Sequence, residues 1–202
     1  MTGWKLKLAG ALAGLVLASG AAMAQAPNRM VGTIEADNAG VLTVKPATGD
    51  AARIALTSTA TVFALERATL ADIKPGTFAG VGAMQRDDGA QRAMQIVIFA
   101  EPLRGLGEGF RPWNRGTGST MTNATVTAAV TSVDGPSLMM KYPGGEQRIV
   151  IPADAVILAL VPADKAELKP GAAASFGPLT ARADGVLEAP RATVGRGGVV
   201  PF

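Results

Sequence analysis

The chain repeats itself at a spacing of 95 residues, and this internal repeat constrains its fold more than any other feature of the sequence. Lys74-Pro75-Gly76 returns as Lys169-Pro170-Gly171, and Arg53-Ile54 returns as Arg148-Ile149. The same spacing relates Val31 to Val126, Gly40 to Gly135, Gly49 to Gly144, Ala60 to Ala155 and Gly82 to Gly177, and Asp88-Gly89 returns as Asp184-Gly185 after a slip of one residue. Self-similarity at a fixed spacing indicates duplicated structural units. We therefore predict two units, 28–100 and 123–195, with a linker, 101–122, that belongs to neither.

Each unit carries the pattern of short β-strands. In the first unit, alternation of apolar and polar residues predicts strands at 30–36 and 41–45, continues in strand period through 52–56 and 61–65 as a third strand, and predicts two further strands at 77–85 and 91–99. Before the last two strands, Thr69 is placed to cap one helical turn together with Asp72. Asp164 and Glu167 repeat this arrangement in the second unit. Lys-Pro-Gly then ends the turn, because proline disfavours a helical residue before it.

This order of elements predicts an all-β protein. Three strands, a capped turn and two strands are the order of a five-stranded Greek-key barrel of the OB type. We therefore expect two tandem small OB-like barrels, each with one short helical turn, joined by a Gly/Arg-rich linker and followed by a C-terminal tail at 196–202. An SH3-like barrel and a small open sandwich are the alternatives.

The first 24 residues have the features of a cleaved secretory signal. Lys5 and Lys7 precede an apolar stretch at 8–18, and Ala22-Met23-Ala24 is a small-x-small cleavage site. The alternative, an uncleaved membrane anchor, needs roughly 20 apolar residues, and this stretch is shorter. We expect a periplasmic chain that begins at Gln25 and is not an integral membrane protein.

Composition excludes most enzyme chemistry. The chain has no His and no Cys, which removes Ser-His-Asp and Cys-His nucleophiles, His/Cys zinc sites and redox thiol pairs. Without the signal, the chain has 17 basic and 16 acidic residues. We therefore expect no basic track that could bind nucleic acid. We predict no enzymatic activity, no cofactor, no metal site and no nucleic-acid partner.

A family resemblance accompanies these patterns. Its marks in the first unit are Leu70-Ala71-Asp72-Ile73-Lys74-Pro75-Gly76, Gly80-Val81-Gly82, Asp88-Gly89 and Ala93-Met94-Gln95-Ile96, and in the second Glu167-Leu168-Lys169-Pro170-Gly171, Gly177, Asp184-Gly185 and Leu187-Glu188-Ala189. With the signal and a Gly-Glu-Gly-x-Arg-Pro-Trp linker, the chain resembles bacterial exported tandem β-barrel proteins of a domain-of-unknown-function family. The resemblance implies a barrel fold and a periplasmic location, and it implies no activity.

The linker 101–122 is the candidate binding segment. Its candidate ligand or partner residues are Arg104, Glu108, Phe110, Arg111, Trp113 and Arg115. Arginines and glycine-rich backbone can bind an anion, and a tryptophan offers a stacking surface or a cation-π partner for an arginine. The alternative is structural, because one tryptophan beside a proline is a common means of packing a linker against a domain face.

Two other residue types invite a metal hypothesis. Asp87, Asp88 and Asp184 are oxygen ligands of the kind that calcium prefers, but Asp-Gly at a hairpin tip accounts for them as turn residues. Methionines bind copper(I), yet Met139 and Met140 are adjacent in a strand and so point to opposite faces.

The sequence therefore favours a non-enzymatic periplasmic binding or interaction module that contacts an envelope protein or another envelope component. The alternative is a periplasmic accessory protein that handles a small anionic ligand or a metal through the linker arginines and Trp113.

Overall fold

The computed structural model describes residues 28–113, 115–132 and 135–202, so the predicted signal at 1–24 lies outside the described residues. The protein is all-β, as predicted. Its strands are β1 (Met30–Asn38), β2 (Val41–Lys45), β3 (Ala52–Arg67), β4 (Phe78–Gln85), β5 (Gln91–Phe99), β6 (Gly109–Pro112), β7 (Ser119–Ser132), β8 (Gly135–Tyr142), β9 (Gly145–Val150), β10 (Val156–Pro162), β11 (Ala173–Phe176), β12 (Thr180–Ala181) and β13 (Leu187–Gly195). Single 3₁₀ turns lie at Leu70–Asp72, Glu101–Leu103 and Lys165–Glu167. Across the described ranges, no helix is long and apolar enough to cross a membrane.

The strands form one mixed sheet that contains two closed cycles of pairing. Ring I consists of β1, β2, β3, β13 and β11, in that order, and β11 pairs back with β1. Ring II consists of β4, β5, β9, β8 and β7, and β7 pairs back with β4. β10 lies between the rings, antiparallel to β3 and parallel to β5.

Each ring takes strands from both sequence units. The unit 28–100 gives β1 to β3 to ring I and β4 and β5 to ring II, while the unit 123–195 gives the remaining strands of each ring. The expectation of two separate barrels, one at 28–100 and one at 123–195, is therefore not confirmed. The physical reason lies in β3, whose 16 residues span roughly 50 Å and carry the chain out of ring I before β4 begins.

The two units meet at a seam where β3 and β10 pair. Leu65 lies opposite Leu160, its own counterpart at the spacing of 95. The backbone bonds that flank this pair are also reciprocal: the amide of Ala68 donates to the carbonyl of Ile157, and the amide of Ala163 donates to that of Val62, both at 3.0 Å. The units are thus related by an approximate two-fold axis that passes between Leu65 and Leu160.

The apolar cores follow the rings rather than the units. One cluster fills ring I and joins Ile34 and Ile54 of the first unit to Phe176 and Val194 of the second. Another fills ring II and joins Val81 and Ile96 to Leu138, Met140 and Ile149. Because both cores need side chains from both units, neither unit buries its apolar faces alone.

The local predictions are largely confirmed. The hairpin of β1 and β2 forms, with the amide of Gly40 donating to Asp37 Oδ1 at 2.8 Å. Both predicted caps form: Asp72 Oδ2 accepts from the Thr69 amide, and Asp164 Oδ1 accepts from the Ala166 amide.

The structure adds two details to the repeat. The stretches at 52–56 and 61–65 form one continuous strand, β3, whereas the second unit is interrupted at Pro152, which cannot donate to a strand ladder. The structural equivalent of Val126 is Ile34 and not Val31, a displacement of three residues. Ile34 makes backbone hydrogen bonds with Gly171 and Ala172, and Val126 makes the equivalent bonds with Gly76 and Thr77.

The C-terminal segment is fixed to the seam by Arg196. Its guanidinium donates two hydrogen bonds to the Glu167 carboxylate, at 2.8 and 2.9 Å, and one to Glu66 at 2.8 Å. These bonds lower the pKa of Glu167 and raise the pKa of Arg196. Val199 and Pro201 beyond it are buried.

The exchange of strands is testable with engineered disulfides, because the chain contains no native Cys. Thr33 lies opposite Ala173 in the β1–β11 pair, at a Cα separation that a disulfide spans. We expect T33C/A173C to close a disulfide, read by thiol titration and peptide mapping. T33C/F78C, which joins Thr33 to the counterpart of Ala173 at the spacing of 95, should stay reduced, and efficient closure of this second pair would instead support separate barrels.

Acid should weaken the Arg196 contact. Since the folded-state pKa of Glu167 is lowered, its stabilisation is present above the unfolded value of about 4.3 and is lost as pH falls through the folded value. The difference in unfolding free energy between the wild type and Glu167→Gln should thus be constant near pH 7 and shrink below about pH 4.3. Denaturant titrations measure it, with Glu35→Gln on β1 as the control; a difference independent of pH would contradict the assignment.

Candidate functional site

A cleft of about 190 Å³ opens on the outer surface beside the seam, and we call it the seam cleft. Leu65 and Leu160, the pair on the two-fold axis, both line it. Ring I contributes Arg191 from β13, and Arg29 lies just before β1. Ring II and the linker contribute the aromatic and apolar residues of the opposite side. The cleft is therefore built from both units and the linker.

The ring II side has a flat glycine surface on β4. A β-carbon on Gly82 would lie 2.7 Å from Trp113 Cη2, so the indole rests directly on the backbone there. A β-carbon on Gly80 would lie 2.9 Å from Phe99 Cε2. The absence of side chains at these two positions is what admits the two aromatic rings.

The linker holds Trp113 through strand pairing. β6 pairs with β7, and the Trp113 amide donates to the Ser119 carbonyl at 2.8 Å. The Ser119 hydroxyl oxygen lies 2.8 Å from the carbonyl oxygens of both Trp113 and Gly116, which share its single donor proton. The guanidinium carbon of Arg115 lies 5.5 Å from the centroid of the Trp113 ring, which is the distance of a cation-π contact.

The loop before β6 borders the cleft with Leu106. Asn123 Nδ2 donates to the Leu106 carbonyl at 2.9 Å, and Arg111 Nη1 donates to the Gly107 carbonyl at 2.7 Å. Leu106 and Arg111 both line the cleft. Side chains of β7 and β6 therefore fix the position of this loop.

Two arginines face the cleft without an acidic partner. Among the described residues, no carboxylate forms an ion pair with Arg29 or Arg191. Burial lowers the pKa of Arg29, and the nearby charge of Arg191 lowers it further. Two like charges close together in a partly buried site repel each other, so an anion between them would be stabilised.

Among the described residues, two of the four buried side-chain polar atoms that have no hydrogen-bond partner belong to residues that line this cleft. Asn123 is only 6% exposed, and its Oδ1 accepts no hydrogen bond. Arg191 Nε is buried and likewise has no partner. Buried polar groups are normally paired, so leaving these two atoms unpaired costs free energy.

The structure brings only part of the predicted site together. Arg111 and Trp113 line the seam cleft, and Arg115 stacks on Trp113. Phe110 stacks on Tyr142, with ring centroids 6.4 Å apart, on an exposed surface.

Arg104 and Glu108 do not line the cleft. Arg104 is bound to Glu101, with Nε to Oε1 at 2.6 Å, and also donates to the Gly76 carbonyl. Glu108 is exposed.

Sequence reasoning missed Arg29, Arg191 and Asn123. The repeat held a signal for Arg191, because its counterpart at a spacing of 96 is the neutral Gln95. Arg29 precedes the first predicted strand, and Asn123 begins the second predicted unit, so neither belonged to a motif. Their juxtaposition depends on the exchange of strands.

The other candidate ligands have structural roles. Asp88 Oδ1 accepts from the Ala90 amide, and Asp184 Oδ1 accepts from the Val186 amide, both at 3.1 Å, which confirms the turn interpretation. Met140 is fully buried in ring II. In the part of the chain that the structure describes, no three carboxylates lie close enough together to hold a metal ion.

Comparison with known proteins adds no assignment. No family model, no curated protein and no solved structure matches this chain.

The contact between Gly82 and Trp113 predicts a sensitive position. Gly82→Ala should displace the indole and destabilise the protein by about 1–3 kcal/mol, as overpacking does. With Trp4 replaced by Phe, Trp113 is the only tryptophan, and we expect its emission maximum to move to longer wavelength. Gly145→Ala, which crowds Tyr142 instead, is the control. An unchanged spectrum in Gly82→Ala would show that Trp113 does not rest on β4.

Proposed function

We propose that this protein is a non-enzymatic periplasmic binding protein that holds a small anionic ligand in the seam cleft. The observation that carries the proposal is the placement of Arg29 and Arg191 side by side, without carboxylate partners among the described residues, against an apolar wall. On this proposal each ring is a small OB-like barrel, and the predicted signal directs the chain to the periplasm.

The chemistry of the two arginines supports an anion. A guanidinium offers up to five N–H donors in a planar fork that matches carboxylate and phosphate oxygens. Partial burial weakens competition from water, so each charge-assisted hydrogen bond contributes more than it would on an open surface. An anion would also offset the burial, and the repulsion from Arg191, that together lower the pKa of Arg29.

The remaining lining supports binding rather than catalysis. Arg111 and Trp113 come from the linker, and Leu65, Leu160 and Phe99 are apolar. Among the described residues, no side chain that lines the cleft is a general base or an activated nucleophile of the usual kinds. A mainly apolar cleft with a few convergent polar groups is the common form of a small-molecule site.

Neutralising the arginines should weaken binding and leave folding intact. With phenylacetate as the probe, we expect Arg191→Gln and Arg29→Gln each to raise Kd about 10-fold or more, because each removes a charge-assisted contact. Calorimetric titration measures Kd, and thermal unfolding should show that neither variant is less stable, since each relieves repulsion.

Arg53→Gln is the matched control, because Arg53 is exposed on β3 and does not line the cleft. The proposal fails if calorimetric titration of the wild type detects no binding of phenylacetate, acetate or phosphate. It also fails if Arg53→Gln raises Kd as much as the cleft variants do.

A further inference from the structure

A row of three residues crosses ring II on the face that lines the seam cleft. Gly82 on β4 is its centre, and Gln95 of β5 and Met121 of β7 are its two strand partners. Residues directly opposite each other in neighbouring strands point to the same face of a sheet. Gln95 and Met121 both line the cleft, and both are uncharged.

Ring I has the equivalent row, in which both flanking residues are cations. Its centre is Gly177, the counterpart of Gly82 at the spacing of 95. The Gly177 amide donates to the Arg191 carbonyl at 3.2 Å, and a β-carbon on Gly177 would lie 3.4 Å from Arg29 Cα. Arg191 and Arg29 thus stand where the row of ring II has neutral side chains.

The parallel ladders support the correspondence of Arg191 with Gln95. Arg191 pairs with Thr61, and Gln95 pairs with Val156. Thr61 and Val156 are themselves 95 residues apart, so the two ladders are equivalent.

The linker gives ring II the cation that its own row lacks. β6 lies beside β7, and Arg111 of β6 is the direct strand partner of Met121. Arg111 therefore extends the ring II row on the same face, and it lines the cleft. Its Nη1 donates to the Gly107 carbonyl at 2.7 Å, which positions the guanidinium and uses only part of its donor capacity.

The cleft therefore has cationic and apolar groups on both sides of the approximate two-fold axis. On the ring I side it is lined by Arg29, Arg191, Pro201 and Phe202. On the ring II side it is lined by Arg111, Trp113, Met121 and Phe99. Among the described residues, no carboxylate lines the cleft on either side.

From this arrangement we infer that the ligand is a two-headed dianion, a small dicarboxylate with an apolar or aromatic body. One carboxylate lies between Arg29 and Arg191, the other lies at Arg111, and the body lies between them against Trp113. This inference rests on the proposed function and specifies its ligand class. A neutral tail at Arg111 would displace water from that guanidinium without replacing its hydrogen bonds.

The size of the cleft limits the length of the body. Its volume of about 190 Å³ is below the roughly 300–1,000 Å³ of pockets that take drug-sized molecules. A single ring with two short acidic arms suits such a volume better than a long-chain dicarboxylate.

Three probes test the inference on the full chain: phenylacetate, 1,4-phenylenediacetate and phenyl phosphate. Phenylacetate has one carboxylate, 1,4-phenylenediacetate has one at each end, and phenyl phosphate has two charges on one head. We expect calorimetric titration to give 1,4-phenylenediacetate a Kd about 10-fold or more below that of phenylacetate, because the second carboxylate gains charge-assisted hydrogen bonds to Arg111. This ranking in the wild type decides the inference even if variants at Arg111 do not fold.

Variants at Arg111 locate the second carboxylate. Arg111→Gln should raise the Kd of 1,4-phenylenediacetate about 10-fold and leave those of phenylacetate and phenyl phosphate nearly unchanged, since both bind at Arg29 and Arg191. Arg111→Lys keeps the charge and should retain the preference for 1,4-phenylenediacetate. Lys141→Gln removes a charge from an exposed position of β8 outside the cleft and should change none of the three Kd values.

The outcomes separate the two proposals. Equal Kd values for phenylacetate and 1,4-phenylenediacetate, a preference for the dicarboxylate that survives Arg111→Gln, or binding of phenyl phosphate alone would overturn the two-headed ligand and leave the anion site standing. No binding of any of the three, nor of acetate or phosphate, would overturn both.

Discussion

The pairing of β3 with β10 is the interaction on which the rest of the structure depends. Leu65 of the first unit lies opposite Leu160, the equivalent residue of the second unit. The ring on each side of this seam is closed by strands from both units. Both apolar cores draw on both units, so the free energy of burial is gained when the units assemble and not before. Most of the contacts that define each ring are far apart in sequence, which is the arrangement associated with slow folding.

The sequence predicts the local structure well because turns, caps and strand period are local properties. Thr69, Asp72 and the paired Asp-Gly turns specify their own conformation wherever the strands go. The choice of partner is different, since equivalent strands of the two units have similar patterns and β1 could pair with β4 or with its counterpart β11. What selects the exchange is the length of β3, which the sequence reveals only in contrast to the break at Pro152. The predicted modules 28–100 and 123–195 were drawn from the repeat, and a repeat defines units of sequence without defining which strands close a ring.

The same limit explains the partial prediction of the site. Arg111 and Trp113 were recognised because they are concentrated in one segment, and they line the cleft. Arg29 and Arg191 are 162 positions apart in the sequence. They come together only because β11 pairs with β1 and β13 pairs with β3. The glycines of β4 belong to a sequence motif, but only the three-dimensional position of the indole shows that they form the surface under Trp113. The candidate site therefore depends on which strands pair, and local sequence pattern does not determine that pairing.

The two-fold relation also supplies an internal comparison for the arginines. Gln95 and Met121 occupy the same backbone environments as Arg191 and Arg29, so the fold accepts neutral side chains at both positions. Placing two cations there costs stability, because burial and then the charge of Arg191 lower the pKa of Arg29. A purely structural role would be met at lower cost by the neutral pair that the other half of the molecule already has. The charge at Arg29 and Arg191, at positions where the other half of the molecule is neutral, is therefore the observation on which the proposed anion site rests.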